Sequence, residues 1–438
     1  MLVVSAVSGA HAQVQMSQPT PAPAAQAPQG DQPLVQAAPA YRGLFGAGSP
    51  ARRGGHLLDL TASIYGEYGE TRQGTTLDGS PLLDAGWFTA VRGGLAYEKA
   101  GQRTRFGLRG EGSFRYYQNS RESTLPRYRV EMGIDAPADR HRLSAVTFGA
   151  TVDYEPYYVL PLFASSAPVT GGTAIVPTSR DDLLYRDTRT LFSETFSYER
   201  RLSTRSYVNL FEESRFTYAQ SATADVRTVR AGGRYGYRFS PYTSLRLGYG
   251  YRTGRYGANT GQQLGEHDLD IGIDYRRPLT QSRRTTIGFV SGAALVDTQA
   301  ARQWQVVGGA NLRHEFLRGW FVQGDFVRNT QLIEGFVDPL FVNTATASLG
   351  GFAGRHVELL ASSGYSRGVV ALSSERYSAL QGSGRIRIAL ARYLAIDTEG
   401  IVYKQDFDQQ IALPSQFPPQ VKRWSVRCNV ALWLPLSR

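Results

Sequence analysis

Along most of this chain the side chains alternate between apolar and polar from one residue to the next. The last segment shows the pattern at its fullest. From Arg423 the sequence reads RWSVRCNVALWLPL. Trp424, Val426, Cys428, Val430, Leu432, Leu434 and Leu436 share one parity, and Arg423, Ser425, Arg427, Asn429 and Ala431 share the other. Successive side chains of a β-strand point to opposite faces, so this segment has one apolar face and one polar, cationic face. A soluble sheet hides an apolar face against a second layer. Here the pattern recurs in roughly eighteen segments with almost nothing else to pack on them. A closed transmembrane β-barrel needs this arrangement: apolar side chains toward lipid, polar ones toward a lumen, and no free edge.

Composition fits that reading. The chain has 438 residues, and its mean hydropathy is slightly negative. It contains no apolar run of the length a transmembrane helix needs. A barrel escapes that test because only alternate residues meet lipid. One cysteine, Cys428, excludes an internal disulfide and any multi-cysteine metal site. The net charge is +11, and three of the 48 basic residues are lysine: Lys99, Lys404 and Lys422. The arginine excess reflects either a GC-rich coding bias or a use for guanidinium forks that grip phosphate and carboxylate.

The N-terminal region divides in two. Residues 1–12 are expected to be a clipped signal peptide. The short apolar run Met1–Gly9 precedes Ala10-His11-Ala12, a small-x-small cleavage pattern, but the usual basic start is missing. Residues 13–50 are rich in Pro, Ala, Gln and Gly without any period, which predicts a disordered spacer. Residues 55–438 are the expected barrel.

Parity cuts this last region into strands. Leu58, Leu60, Ala62 and Ile64 share a face, as do Trp87, Thr89, Val91, Leu95 and Tyr97. Phe106, Leu108, Phe114 and Tyr116 oppose Arg103, Arg105, Arg109, Glu111 and Arg115. Tyr128, Val130, Met132 and Ile134 oppose Arg127, Arg129, Glu131 and Asp135. Tyr235 and Tyr237 oppose Arg230, Arg234 and Arg238; Leu245 to Tyr251 oppose Arg246 and Arg252; Leu269 to Tyr275 oppose Glu266, Asp268, Asp270 and Asp274. Ile386 and Ile388 oppose Arg385 and Arg387. The seventh segment, near residues 203–219, is weaker because Glu212 and Glu213 put charge on both faces. Links after even segments are tight, and those after odd segments are usually longer, as at the periplasmic and extracellular ends of outer-membrane barrels. A soluble propeller would also give evenly spaced strands. Strands this long nevertheless exceed the soluble mode of about five to six residues and suit a tilted membrane crossing.

The C-terminal segment resembles the assembly signal of bacterial outer-membrane barrels, aligned here as Asn429, Ala431, Leu434 and Leu436. Ala431 stands where that pattern has Gly, and the chain ends Leu436-Ser437-Arg438 instead of on Phe. With its tight PLTQS and LSTR turns, the region 55–438 is similar to the outer-membrane β-barrel porin families of Gram-negative bacteria. Some such barrels sit in exopolysaccharide export systems. The resemblance implies a bacterial outer-membrane location. The partners it implies are outer-membrane lipid, lipopolysaccharide and the barrel-insertion machinery, with periplasmic export components in the export case. It leaves the oligomeric state open.

No catalytic or metal site emerges. The six histidines show no metal-ligand spacing, and no GxSxG elbow or phosphate-cradling loop occurs. His267 and Asp268 are adjacent on a strand and so face opposite ways. The arginines interleave with apolar residues instead of forming a basic tail, which argues against nucleic acid. No cofactor is expected. The pore-lining candidates are Arg103, Arg105, Arg109, Arg115, Arg127, Arg129, Arg230, Arg234, Arg238, Arg246, Arg252, Glu266, Asp268, Asp270, Asp274, Arg385, Arg387 and Arg427. Two readings stand for them: mutual pairing that stiffens the wall, or a transverse field that orients solutes and sets ion preference. The expected function is passive diffusion of polar solutes, anions among them. An export conduit and a non-conducting scaffold or adhesin are the alternatives.

Overall fold

A computed structural model describes residues 55–437, except 74–85, 102, 118–123, 139–142, 156–187, 220–224, 241–242, 257–261, 279–284, 298–301, 317–319, 332–338, 355, 371–375 and 409–418. The expectations for residues 1–12 and 13–50 therefore lie outside the described residues.

Eighteen strands account for the described chain: β1 (His56–Gln73), β2 (Trp87–Ala100), β3 (Arg105–Tyr117), β4 (Thr124–Pro137), β5 (Ser144–Glu155), β6 (Arg189–Arg201), β7 (Ser206–Ala219), β8 (Val226–Ser240) and β9 (Thr243–Tyr256). They continue with β10 (Gln262–Pro278), β11 (Thr285–Asp297), β12 (Arg302–Phe316), β13 (Trp320–Gln331), β14 (Leu340–Ala353), β15 (Val357–Val370), β16 (Arg376–Ala391), β17 (Leu394–Phe407) and β18 (Gln420–Ser437). Each strand pairs antiparallel with its neighbours in sequence. β1 pairs with both β2 and β18, so the sheet closes on itself. Closure leaves no edge whose backbone N–H and C=O groups would face lipid unpaired.

Tight turns join the strands at the end that also holds both chain ends of the barrel. In the β6–β7 turn Ser203 Oγ accepts from the backbone N–H of Arg205 and Ser206, at 3.1 and 3.0 Å. A hydroxyl at this position substitutes for a backbone acceptor and fixes the reversal. Gly354, in the β14–β15 turn, has φ of 76°, a conformation that costs glycine nothing.

The two faces of the sheet differ as parity predicts. Ile64, Trp87, Phe114, Ile271 and Val306 are each more than half exposed on the outside, while Tyr65, Phe88, Tyr117 and Leu125 pack together on the inside. An exterior covered in exposed Leu, Ile, Val and Phe is unstable in water and stable in hydrocarbon.

One sequence expectation changes. Arg103 lies in the β2–β3 turn, outside any strand, so it belongs to no lumen ladder. The turn closes through Gly101 N–H donating to Thr104 O at 2.7 Å, which ends the pairing before Arg105. Asp270 and Asp274 hold register positions opposite Gly248 and Ser244, but their side chains lie outside the described residues. The seventh segment is a full strand despite its charges, because backbone pairing on both sides overrides a weak side-chain pattern.

Candidate functional site: the inner wall of the barrel

The inward faces of β16 through β18 and β1 through β10 carry most of the described ionisable groups. They are organised as ion pairs running along the wall. Glu67 is wholly buried and accepts from Arg423 Nη2 at 3.0 Å and from Arg427 Nε and Nη2 at 2.9 and 2.6 Å. Arg427 also covers the Tyr65 ring and stands 3.9 Å from Glu399. These bonds cross the seam between β1 and β18, joining the two ends of the barrel.

A second group spans β4 to β6. Arg127 Nη2 lies 2.7 Å from Glu155 Oε1 and 3.2 Å from Asp153 Oδ2; Arg129 Nη1 is 3.5 Å from the same Asp153 oxygen and also pairs with Glu131. Arg189 closes the group at 2.8 Å from Glu155 Oε2. A third spans β8 to β10. Arg252 pairs with Glu266 at 3.0 Å and Arg230 with Asp268, while Arg230 and Arg234 stack over Phe211. Arg246 is buried beside them, and Arg238 shares their parity but is exposed near the tight-turn end. On β3, Arg105 reaches Glu98 at 3.2 Å, Arg109 approaches Glu111 at 3.9 Å, and Arg115 lies over Phe88. On β16, Arg387 and Arg385 share Glu358 at 2.8 and 3.7 Å.

Sequence parity missed two features of this wall. One is the acid partners: Glu67, Asp153, Glu155 and Glu358 carry no local signal, because each meets its arginines across strands. The other is a mostly neutral sector from β11 to β15, where Asn311, Gln323, Asn329, Thr344, Ser348, Ser362 and Ser366 are buried on the inner face. There Thr344 and Ser366 lie 3.3 Å apart, and Ser362 and Ser383 2.8 Å. His267 and Asp268 point opposite ways, as expected: His267 Nδ1 meets Tyr249 Oη at 2.8 Å on the outside. Of the aligned assembly residues, Asn429 faces inward and donates to Asp397 at 2.8 Å, Ala431 is buried beside Trp433, and Leu434 and Leu436 lie on the outer parity.

A closed sheet with a charged, polar inner face and an apolar outer belt leaves one environment for the outer belt. This is a transmembrane β-barrel. Among solved structures the barrel is similar to Pseudomonas aeruginosa OccK2 (OpdF) in complex with glucuronate. The two are 12% identical with a TM-score of 0.46, and the match covers 88% of this chain and 100% of that one. It is also similar to Pseudomonas aeruginosa OpdQ, at 10% identity and a TM-score of 0.45 over 87% and 98% of the two chains. The FrpB iron transporter from Neisseria meningitidis matches at 9% identity and a TM-score of 0.45, over 85% of this chain and 66% of that one. No protein-family model and no curated protein matches the sequence.

Proposed function

We propose that the barrel is a channel for passive diffusion of small polar solutes, with a weak preference for anions. The observation that carries this reading is the closed circumference of eighteen strands with a polar inner face. At a strand spacing near 4.8 Å and a tilt near 40°, eighteen strands enclose a circle about 35 Å across between backbones. Charges pair along the wall, as Glu67 does with Arg423 and Arg427. A solute then crosses by diffusion and exchanges part of its hydration for contacts with wall guanidinium, amide and hydroxyl groups.

The pairing geometry supports a weak preference over a strong one. Arg127, Arg129, Arg189, Arg230, Arg252, Arg387, Arg423 and Arg427 each stand against a carboxylate, so most of their field is cancelled locally. What remains is the small excess of wall arginines over wall acids. Ionic strength above ~0.1 M erodes it as the Debye length falls below about 10 Å. Planar-bilayer recording in a salt gradient tests both statements. The expected result is a stable conductance whose reversal potential is mildly anion-selective at low salt. Replacing Arg234 and Arg246 by Glu should move it toward cations. A cation-selective wild type would refute the preference, and a refolded barrel without conductance would refute the channel.

A further inference from the structure

Two pairs of cations stand on the outer surface of the barrel near its loop end. Lys404 on β17 and Lys422 on β18 are direct cross-strand partners, outward-facing and exposed. Arg227 on β8 and Arg255 on β9 are likewise partners, outward-facing and exposed. The two pairs are nine strands apart in a ring of eighteen, on opposite sides of the barrel. Like charges placed directly opposite each other destabilise an antiparallel pair. Among the described residues none of these four side chains forms an ion pair. The outward acids closest in register to the lysines are Asp406, opposite Gln420, and Glu70, which accepts from Trp424 Nε1 at 3.2 Å.

Their height in the membrane follows from the aromatic residues beside them. Trp424, Tyr68 and Trp87 form a continuous outward group, with ring centres 5.6 and 5.2 Å apart. Such groups mark the boundary between hydrocarbon and headgroups. Lys422 is two residues beyond Trp424 on the same face, one step toward the loop end. On the other side Arg227 lies over the outward Phe216 ring at 4.9 Å. Both cation pairs thus sit at the headgroup level of the leaflet that the long loops enter. Guanidinium and ammonium groups at that level complement phosphate.

We propose that each pair is a docking ledge for a phosphate of an outer-leaflet glycolipid. The glycolipid's acyl chains lie on the apolar belt below, and its phosphates relieve the repulsion within each pair. This would tie lipid to the barrel at two opposite points instead of uniformly around it.

The test uses the full chain refolded in a neutral detergent. Native mass spectrometry and thermal unfolding would follow titration with diphosphorylated lipid A, fully dephosphorylated lipid A and inorganic phosphate. Diphosphorylated lipid A should be retained, and the other two should not. In the Lys404→Gln/Lys422→Gln and Arg227→Gln/Arg255→Gln variants one of the two sites should bind it about tenfold more weakly, which halves the number of lipids retained. Lys99→Gln, outward at the opposite end, should bind like wild type and keep the same heat-modifiable mobility. Equal retention of dephosphorylated lipid A, equal stabilisation by free phosphate, or variants that are folded and bind undiminished would each overturn the proposal.

Discussion

Glu67 shows what one residue does in a wall of this kind. It is the shared acceptor of Arg423 and Arg427, which lie more than three hundred residues away in sequence. Removing it takes the shared carboxylate away from two buried guanidiniums. Glu67→Ala should therefore lower the unfolding free energy by about 3–5 kcal/mol, the cost of breaking a buried ion pair by removing one partner. Urea titration read by heat-modifiable mobility measures this, and an unchanged midpoint would show the seam to be held by backbone pairing alone. Cys428 tests the other face. It is exposed on the outer parity, with Sγ 3.7 Å from Thr398 Oγ1. A membrane-impermeant thiol reagent should leave it unlabelled in intact membranes, while a lipid-soluble one should reach it. Cys428→Arg should cost roughly 2–4 kcal/mol at mid-depth.

Among the strands, glycine sites opposite large rings fix how neighbours lie against each other. A Cβ at Gly368 on β15 would overlap the Tyr377 ring on β16, which is buried and within 3.4 Å of Ser366 Oγ. Gly368→Ala should displace that ring and destabilise the barrel by about 1–3 kcal/mol. The same denaturant titration reads it, and wild-type stability would mean that the ring moves freely. β6 and β7 pose the opposite case. Glu194 and Glu212 face outward near mid-strand, and Glu212 accepts from Ser214 Oγ. Adjacent Glu213 faces inward, opposite Arg230. A carboxylate on the lipid side is a cost that an apolar residue avoids. Glu212→Leu should therefore raise the denaturation midpoint. A lower midpoint would mean that the carboxylate makes a contact of value in the membrane.

For the whole molecule, the Pro/Ala/Gln-rich segment 13–50 has no hydrophobic period to contribute to the sheet. Deleting it behind a complete signal peptide should leave a membrane-inserted, heat-modifiable barrel. Loss of insertion would instead make the segment structural.

The fold was legible in the sequence because a membrane barrel writes itself in parity. Lipid selects every second residue of each strand, as in Trp424 to Leu436, and alternating link lengths distinguish the two ends. Parity also placed Arg115, Arg127, Arg230 and Arg427 on the inner face, since facing is a property of one strand. It misplaced Arg103, because where a turn ends and pairing begins depends on the neighbouring strand. It left open whether the wall arginines are free or paired, because a partner such as Glu67 reaches Arg427 only through barrel closure. Which face a residue takes is decided locally by backbone geometry. Which charges cancel is decided by register between strands distant in sequence, and register exists only in the closed tertiary structure.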